Sequence, residues 1–280
     1  MSNRLKEWRR QYNDIPIPTE LDDIIESALT SHTQQKHTKK RWIWPTSIVA
    51  AASIFTATVN FSPQAAKAMS EVPILKQIIE VITIDKIHEE QESKSIDVEI
   101  PEISGLENHQ LETHLNQAFL EKGKQLYQEY MDSNGHLAIQ SDYSIVNENN
   151  QILSIELNTF KAEASGYEQK DYLTIDKELQ TVITLPSLFT SEAYVEVISE
   201  EIKKQMKQNM ANDENLIYWL DDVESFTTIN RDQPFFINKD NHLIISFNEY
   251  EVAPGYMGVV QFEIPTEIID EILVSDRYIN

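Results

Sequence analysis

Cysteine is missing from all 280 residues, which removes disulfide frameworks, thiolate zinc sites and cysteine nucleophiles together. Positive charge is scarce: 23 Lys and Arg stand against 46 Asp and Glu, a formal net charge of −23. A chain of that sign is not expected to bind nucleic acid, because a phosphate backbone demands the opposite one. Glycine is rare at six residues, so each marks a place worth locating. Catalytic signatures are lacking as well, with no GxSxG elbow, P-loop, HExxH or GxGxxG anywhere. His88 precedes Glu89 and Glu90 without a second histidine at helical spacing, and His109 and His114 are separated on a helical wheel. No metal and no cofactor is expected, and no enzyme. What the chain does have is 41% hydrophobic residues, too many for a disordered acidic tail. Its length allows a small tail plus one sizeable or two modest folded units.

The charge is unevenly spread. Residues 1–41 carry eight Lys/Arg against six Asp/Glu, residues 42–66 carry no charge, and residues 69–280 carry 14 Lys/Arg against 40 Asp/Glu. The uncharged run, with its apolar part at Ile48–Phe61, is long enough for a spanning helix, which needs about 20 residues. Ser47, Ser53, Thr56, Thr58 and Asn60 make it only moderately apolar, and a buried soluble helix is the alternative. The flanks favour the membrane. Lys36, Lys39, Lys40 and Arg41 abut one end and an acidic body follows the other, as expected for a cytoplasmic N-terminus and an extracellular C-terminus. Trp42 and Trp44 stand at the interface. The expected organisation is a cytoplasmic head (1–41), a signal-anchor helix (42–62) and a juxtamembrane segment with a cleavage site (63–103). Two extracellular units follow (104–186 and 187–280).

Past the span, Ala66 and Ala68 occupy the −3 and −1 positions before Met69, the A-x-A form of a signal-peptidase site; an uncleaved anchor with chance alanines is the other reading. In the head, Thr19 can cap a helix on which Leu21, Ile24, Ile25, Ala28 and Leu29 form one apolar stripe. A 41-residue segment has little core of its own, so this stripe wants a partner. A membrane surface is the alternative, but Glu20, Asp22, Asp23 and Glu26 suit an anionic leaflet poorly.

The body is expected to be α+β, with helices packed on antiparallel sheets. Pro73–Ile87 is apolar-rich and reads as helix or strand. Ser104 and Glu107 form a capping box for a helix to about Met131, with Leu111, Leu115, Phe119, Leu126 and Tyr130 on one face. Alternation predicts strands at Leu137–Val146 and Ile152–Phe160, and shorter ones at Tyr172–Ile175 and Thr181–Leu185. A second helix is expected at Glu192–Met210. Strands follow at Phe235–Asn238, Leu243–Phe247 and Val259–Ile264, then a short terminal helix.

Two loops stand out. Glu249–Gly258 (EYEVAPGYMG) gathers two of the six glycines, a proline and two tyrosines; Ser165-Gly166-Tyr167 sets another glycine beside a tyrosine. Rigid amphipathic rings on an unusual backbone suit a binding surface, although a structural corner is the plainer reading. Glu249 and Glu251 have the spacing to point the same way from an extended strand, as a glycosidase pair requires, but a solvated strand face explains them too.

Several segments, taken in order, carry a resemblance: Ile17–Leu21 (IPTEL), Trp44–Ser47 (WPTS), Ala66-Lys67-Ala68 and MSEVPILKQI at 69–78. SGLEN (104–108), IKKQMKQ (202–208), IYWL (217–220), SFNEYEVAPGYMG (246–258) and SDRYI (275–279) continue it. Together they resemble the anti-sigma-V factor family over essentially the full length. The resemblance implies a head that holds an extracytoplasmic-function sigma factor through Leu21, Ile24, Ile25 and Leu29, and an exterior receptor for c-type lysozyme. It further implies a cut at Ala68–Met69 by signal peptidase, then a site-2 protease cut within the membrane that frees the sigma factor. Ser165, Gly166, Tyr167, Pro254, Gly255 and Tyr256 are the residues expected at the lysozyme surface. A glycan-modifying exterior enzyme, or a lysozyme inhibitor without sigma regulation, is the alternative.

Overall fold

A computed structural model describes residues 79–220 and 225–280. The expected span, the cleavage positions Ala66, Ala68 and Met69, and the head residues Leu21, Ile24, Ile25 and Leu29 lie outside the described residues. Among the described residues no helix is long and apolar enough to cross a membrane.

The first half is β1 (Glu80–Glu90), β2 (Lys94–Ser104), α1 (His109–Asp132), β3 (Leu137–Glu148), β4 (Ile152–Ala162), β5 (Gly166–Asp176) and β6 (Thr181–Ile183), its strands forming one sheet in sequence order. Neighbours are antiparallel except β2 and β3, which run parallel with Lys94 opposite Leu137. The α+β architecture with antiparallel sheets is as expected, and the single parallel pair has a geometric reason. A 24-residue helix is about 36 Å long, the same as an 11-residue strand, so α1 carries the chain back to where β2 began.

The proposed capping box is corrected. Ser104 is the last residue of β2, held opposite Glu80, and the cap is Asn108, whose side chain accepts from the Leu111 N–H at 3.1 Å. Glu112 reaches back to accept from the Leu106 N–H at 2.9 Å. The later part of the expected juxtamembrane segment supplies β1 and β2.

α1 buries Leu115, Phe119, Leu126 and Tyr130 against Ile96, Val98 and Ile100 of β2. Gly123 lets it sit close, since a Cβ there would lie 2.7 Å from Ile100 Cδ1. Gly123→Ala gains about 1 kcal/mol in helix propensity, but overpacking a buried contact costs about 1–3 kcal/mol. Net destabilisation in urea unfolding is therefore expected, and recovery when Ile100 is cut to Val.

The second half is α2 (Ala193–Asn212), β7 (Phe235–Ile237), β8 (Leu243–Phe247), β9 (Val260–Ile264) and α3 (Thr266–Ile269), with an antiparallel sheet in the order β7-β8-β9. α2 lays Tyr194, Ile198, Ile202 and Met206 into a core with Ile237, Leu243, Ile245, Phe262 and Ile264. Every residue of central β8 is buried. The halves are tied together. Asn147 donates to the carbonyls of Ile237 at 3.0 Å and Asn238 at 2.7 Å, and Tyr172 stacks on Phe236 with centroids 4.8 Å apart. Near the C-terminus, Arg277 Nε meets the fully buried Asp176 at 3.1 Å and Tyr278 donates its hydroxyl to the same carboxylate.

Candidate functional site

The two singled-out loops lie one in each half: the β4–β5 turn belongs to the first and the loop after β8 to the second. Ser165 lies in the tight turn between β4 and β5, where the Glu163 N–H donates to the Ser165 carbonyl at 3.3 Å, and it is exposed. Gly166 opens β5 beneath the Phe160 ring; a Cβ there would come within 2.8 Å of two ring carbons. Tyr167 is half-buried, and its hydroxyl is pushed upward in pKa by burial first and then by the charges of Glu251, Asp171 and Glu249. The hairpin thus stands beside the start of the second loop. The Lys170 N–H seals the contact by donating to Asn248 Oδ1 at 2.7 Å.

The second loop leaves β8 at Asn248 and turns at Tyr250, whose φ of 63° breaks any strand alternation. That removes the geometry of a carboxylate pair on one strand face. Instead Glu251 Oε2 accepts from the Asn248 N–H at 3.1 Å and from Gln233 Nε2 at 3.2 Å. Packed protein atoms push the Glu251 carboxyl up in pKa, while those two donors and the nearby Asp171 act as smaller effects. Glu249 is also raised, chiefly by desolvation. For a carboxylate with a raised folded-state pKa, the charged form burdens the fold. That burden is present above the folded pKa and fades as pH falls towards the unfolded value near 4.5. Glu251→Gln keeps the acceptor and removes the charge. It is expected to raise the thermal midpoint slightly at pH 7 and to match the parent at pH 4, as scanning calorimetry can check.

Beyond Tyr250, Val252 and Ala253 are buried, and the Trp219 N–H donates to the Val252 carbonyl at 2.9 Å. Pro254 then opens a short 3-10 turn, Gly255–Met257, closed by Gly258 at φ 64°. Gly255 packs under the Tyr250 ring so closely that a Cβ would lie 2.3 Å from its Cζ and Oη. Tyr250 is more than half exposed, so its ring can swing outward. Gly255→Ala is therefore expected to leave stability near the parent while displacing that ring, seen as a changed Tyr250 side-chain signal by NMR.

Tyr256 is 67% exposed, yet its hydroxyl donates to the Asn215 carbonyl at 2.8 Å, which fixes where the ring stands. Ile217, 46% exposed, is held beside it by its N–H on Met257 Sδ at 3.3 Å. The structure therefore brings Pro254, Gly255 and Tyr256 together with Tyr250, Asn215 and Ile217. It sets Tyr167 near Glu249 and Glu251, and leaves Ser165 at the hairpin tip. Tyr250 belongs to the expected tyrosine-bearing loop, whereas Asn215 and Ile217 are additions; the IYWL run at 217–220 is the available signal for Ile217. The anchored ring of Tyr256, the exposed ring of Tyr250 and Ile217, on segments that carry Asp213, Glu214, Glu249 and Glu251, suit recognition of a basic protein surface. Among the described residues no group of three or more His, Asp or Glu is placed to hold a metal ion.

Comparisons with known proteins now bear on this arrangement. A family model described as deacetylase PdaC matches residues 87–161, and one described as a protein of unknown function, DUF3298, matches residues 186–267. Among solved structures, a DUF3298 family member from Bacteroides fragilis NCTC 9343 superposes with a TM-score of 0.54 at 15% identity, covering 71% of this chain and 95% of that one. A DUF3298 family protein from Pseudomonas aeruginosa PAO1 gives 0.56 at 13% identity, covering 73% and 97%. These two likenesses concern the fold. Anti-sigma-V factor RsiV of Bacillus subtilis (strain 168) is 49% identical over 288 residues, spanning the whole of both chains. At that identity and coverage, the chain belongs to the anti-sigma-V factor family.

Proposed function

We propose that the anti-sigma role that comes with the family is exercised from the membrane and switched by c-type lysozyme. The observation that carries this reading is the alignment of the full-length relationship with the reversal of charge along the chain, from a basic head to a strongly acidic body. On this reading the head holds an extracytoplasmic-function sigma factor through the stripe Leu21, Ile24, Ile25 and Leu29, away from RNA polymerase. The acidic exterior attracts a small basic protein and raises its association rate. Tyr256, Pro254 and Gly255, with the Ser165-Gly166-Tyr167 hairpin, form the surface it meets. Tyrosine rings are well suited to enter a glycan-binding cleft, being broad, stiff and polar at one end. Ligand binding then exposes the Ala68–Met69 bond to signal peptidase, and a site-2 protease cuts the remaining anchor, so sigma release follows regulated intramembrane proteolysis in response to envelope stress.

The test is a chain tagged at both ends, expressed in a Gram-positive host and followed with and without added lysozyme. Lysozyme-dependent loss of full-length protein, with a new N-terminus at Met69, is the expected result. A chain that binds lysozyme but stays intact is an inhibitor, and one that does neither leaves the ligand assignment without support. A second reading, a glycan-modifying exterior enzyme, draws on the match at residues 87–161. Release of acetate from cell-wall glycan by the chain, lost on heat denaturation, would favour it.

A further inference from the structure

Among the described residues β1 is the outermost strand of the six-stranded sheet and pairs on one side only, with β2. Its 11 residues make a long free edge, whereas the opposite edge, β6, has three. A row of open N–H and C=O groups of that length is a template for another strand. Side chains along β1 alternate in exposure, and Ile82 and Ile84, 50% and 57% exposed, fall on the same outward stripe. One exposed isoleucine needs no explanation; two in succession on an unpaired edge strand do.

The sequence around them is self-complementary. Glu80-Val81-Ile82-Thr83-Ile84-Asp85-Lys86, turned end for end about Thr83, sets Ile82 opposite Ile84 and Glu80 opposite Lys86, each twice. Centring one residue later sets Ile82 against Lys86, and two later sets Glu80 against Glu90 and Ile82 against His88. On the exposed stripe only the Thr83 register sets both isoleucines against isoleucine and Glu80 against lysine; centring on Ile84 pairs Ile84 with itself and Glu80 with His88 but leaves Ile82 on Lys86, whereas the Thr83 register leaves Val81 opposite Asp85 on the other stripe. We propose that β1 pairs antiparallel with β1 of a second copy of this chain, two-fold symmetric about Thr83, joining two sheets edge to edge.

Lys86 already pairs with Glu99 on β2 and would lie between that carboxylate and Glu80 of the partner copy. Among the described residues Glu80 has no cation of its own. The β-bulge between Thr83 and Asp85 adds twist at Ile84, and in this register each copy's Ile84 faces the other's Ile82, so both strands twist alike. A two-fold pair consumes both long edges, which closes the assembly instead of growing a fibre. The net charge of −23 opposes association at long range, so pairing is expected to strengthen as salt screens it.

The test uses the absence of cysteine. In the full-length chain expressed in cells, Thr83→Cys makes the one thiol of each copy, and directly opposed residues lie about 4.5–5.5 Å apart at Cα, within disulfide reach. Mild oxidation is expected to give a covalent dimer from Thr83→Cys and at least fivefold less from Ile145→Cys, an exposed control on β3. Adding Lys86→Glu, or separately Glu80→Lys, should cut the Thr83→Cys dimer several-fold, and co-expressing the two should restore it. Because the Thr83 hydroxyl touches Tyr143, the same pairing is read independently by co-expressing Ile82→Cys with Ile84→Cys copies. Equal cross-linking at Thr83 and Ile145, no dimer from either cysteine set, or indifference to the charge exchange each overturns the proposal. Its success or failure leaves the lysozyme reading untouched, since binding is measured separately on the same variants.

Discussion

Arg277→Ala is expected to remove about 2–3 kcal/mol of stability and lower the unfolding midpoint by roughly 5–10 °C. The reason is what Arg277 leaves behind. Asp176 is wholly buried at the end of β5 and accepts from the N–H groups of Glu178 at 2.8 Å and Leu179 at 2.6 Å, from the Tyr278 hydroxyl, and from Arg277 Nε at 3.1 Å. Three neutral donors remain after the substitution, but the counter-charge does not, and an uncompensated carboxylate in a dry site is costly. Arg277 is partly exposed, which keeps the expected loss below the upper range for a fully buried pair. Removing both partners separates this cause from lost packing. Asp176→Asn with Arg277→Met keeps the shape and removes both charges, and it should recover at least half of the loss in urea unfolding. A single variant as stable as the parent would show that the amides and Tyr278 suffice.

On the proposed reading, Tyr256→Ala weakens lysozyme binding by about 30- to 300-fold, the range of a central aromatic hot spot, with little change in folding stability. The ring is two-thirds exposed, so the fold loses almost no buried area with it. It does lose the hydroxyl on the Asn215 carbonyl, a partner that water can replace. Tyr256→Phe tests that part alone: it keeps the ring and releases the anchor, and a loss of about three- to tenfold is expected from a less fixed side chain. Ile217→Asp, on the same face, should weaken binding comparably although it touches a different segment. Calorimetric titration of the variants against lysozyme reads all three. Unchanged affinity in both Tyr256→Ala and Ile217→Asp would move the contact surface elsewhere on the body.

Much of the architecture is legible in the residues, and what is not has identifiable causes. The stripe Leu115, Phe119, Leu126 and Tyr130 marks α1, and alternation marks β3 and β4, because in each the buried face repeats at the element's own period. Pro73–Ile87 carries both periods at once, so its described part, as strand β1, is decided by pairing with β2. The first half of β5, Gly166–Asp171, is polar enough to read as loop, yet it is paired throughout with β4. Nothing local announces the parallel β2–β3 pair, since its register follows from the reach of α1. At the site, scarce glycines and a proline point directly to Tyr256. Asn215 and Ile217 lie about forty residues away in sequence and meet it only through Met257 Sδ and a backbone carbonyl. Contacts of that kind leave no pattern in either segment.

The link from Arg277 to Asp176 spans 101 residues and is made by the fourth residue from the end. A growing chain therefore carries β5 with its buried acid unanswered until the hundred or so residues beyond it have been made. Such long-range closure is a late step in folding, after the hairpins and helices have formed. The Arg277–Tyr278 segment serves as a lock on the first half: a product broken before residue 277 has every described strand and helix but holds a bare charge in its interior. Quality-control proteases recognise bodies that open in this way. The arrangement gives the fold a simple safeguard, because a body that lacks Arg277 opens and is removed.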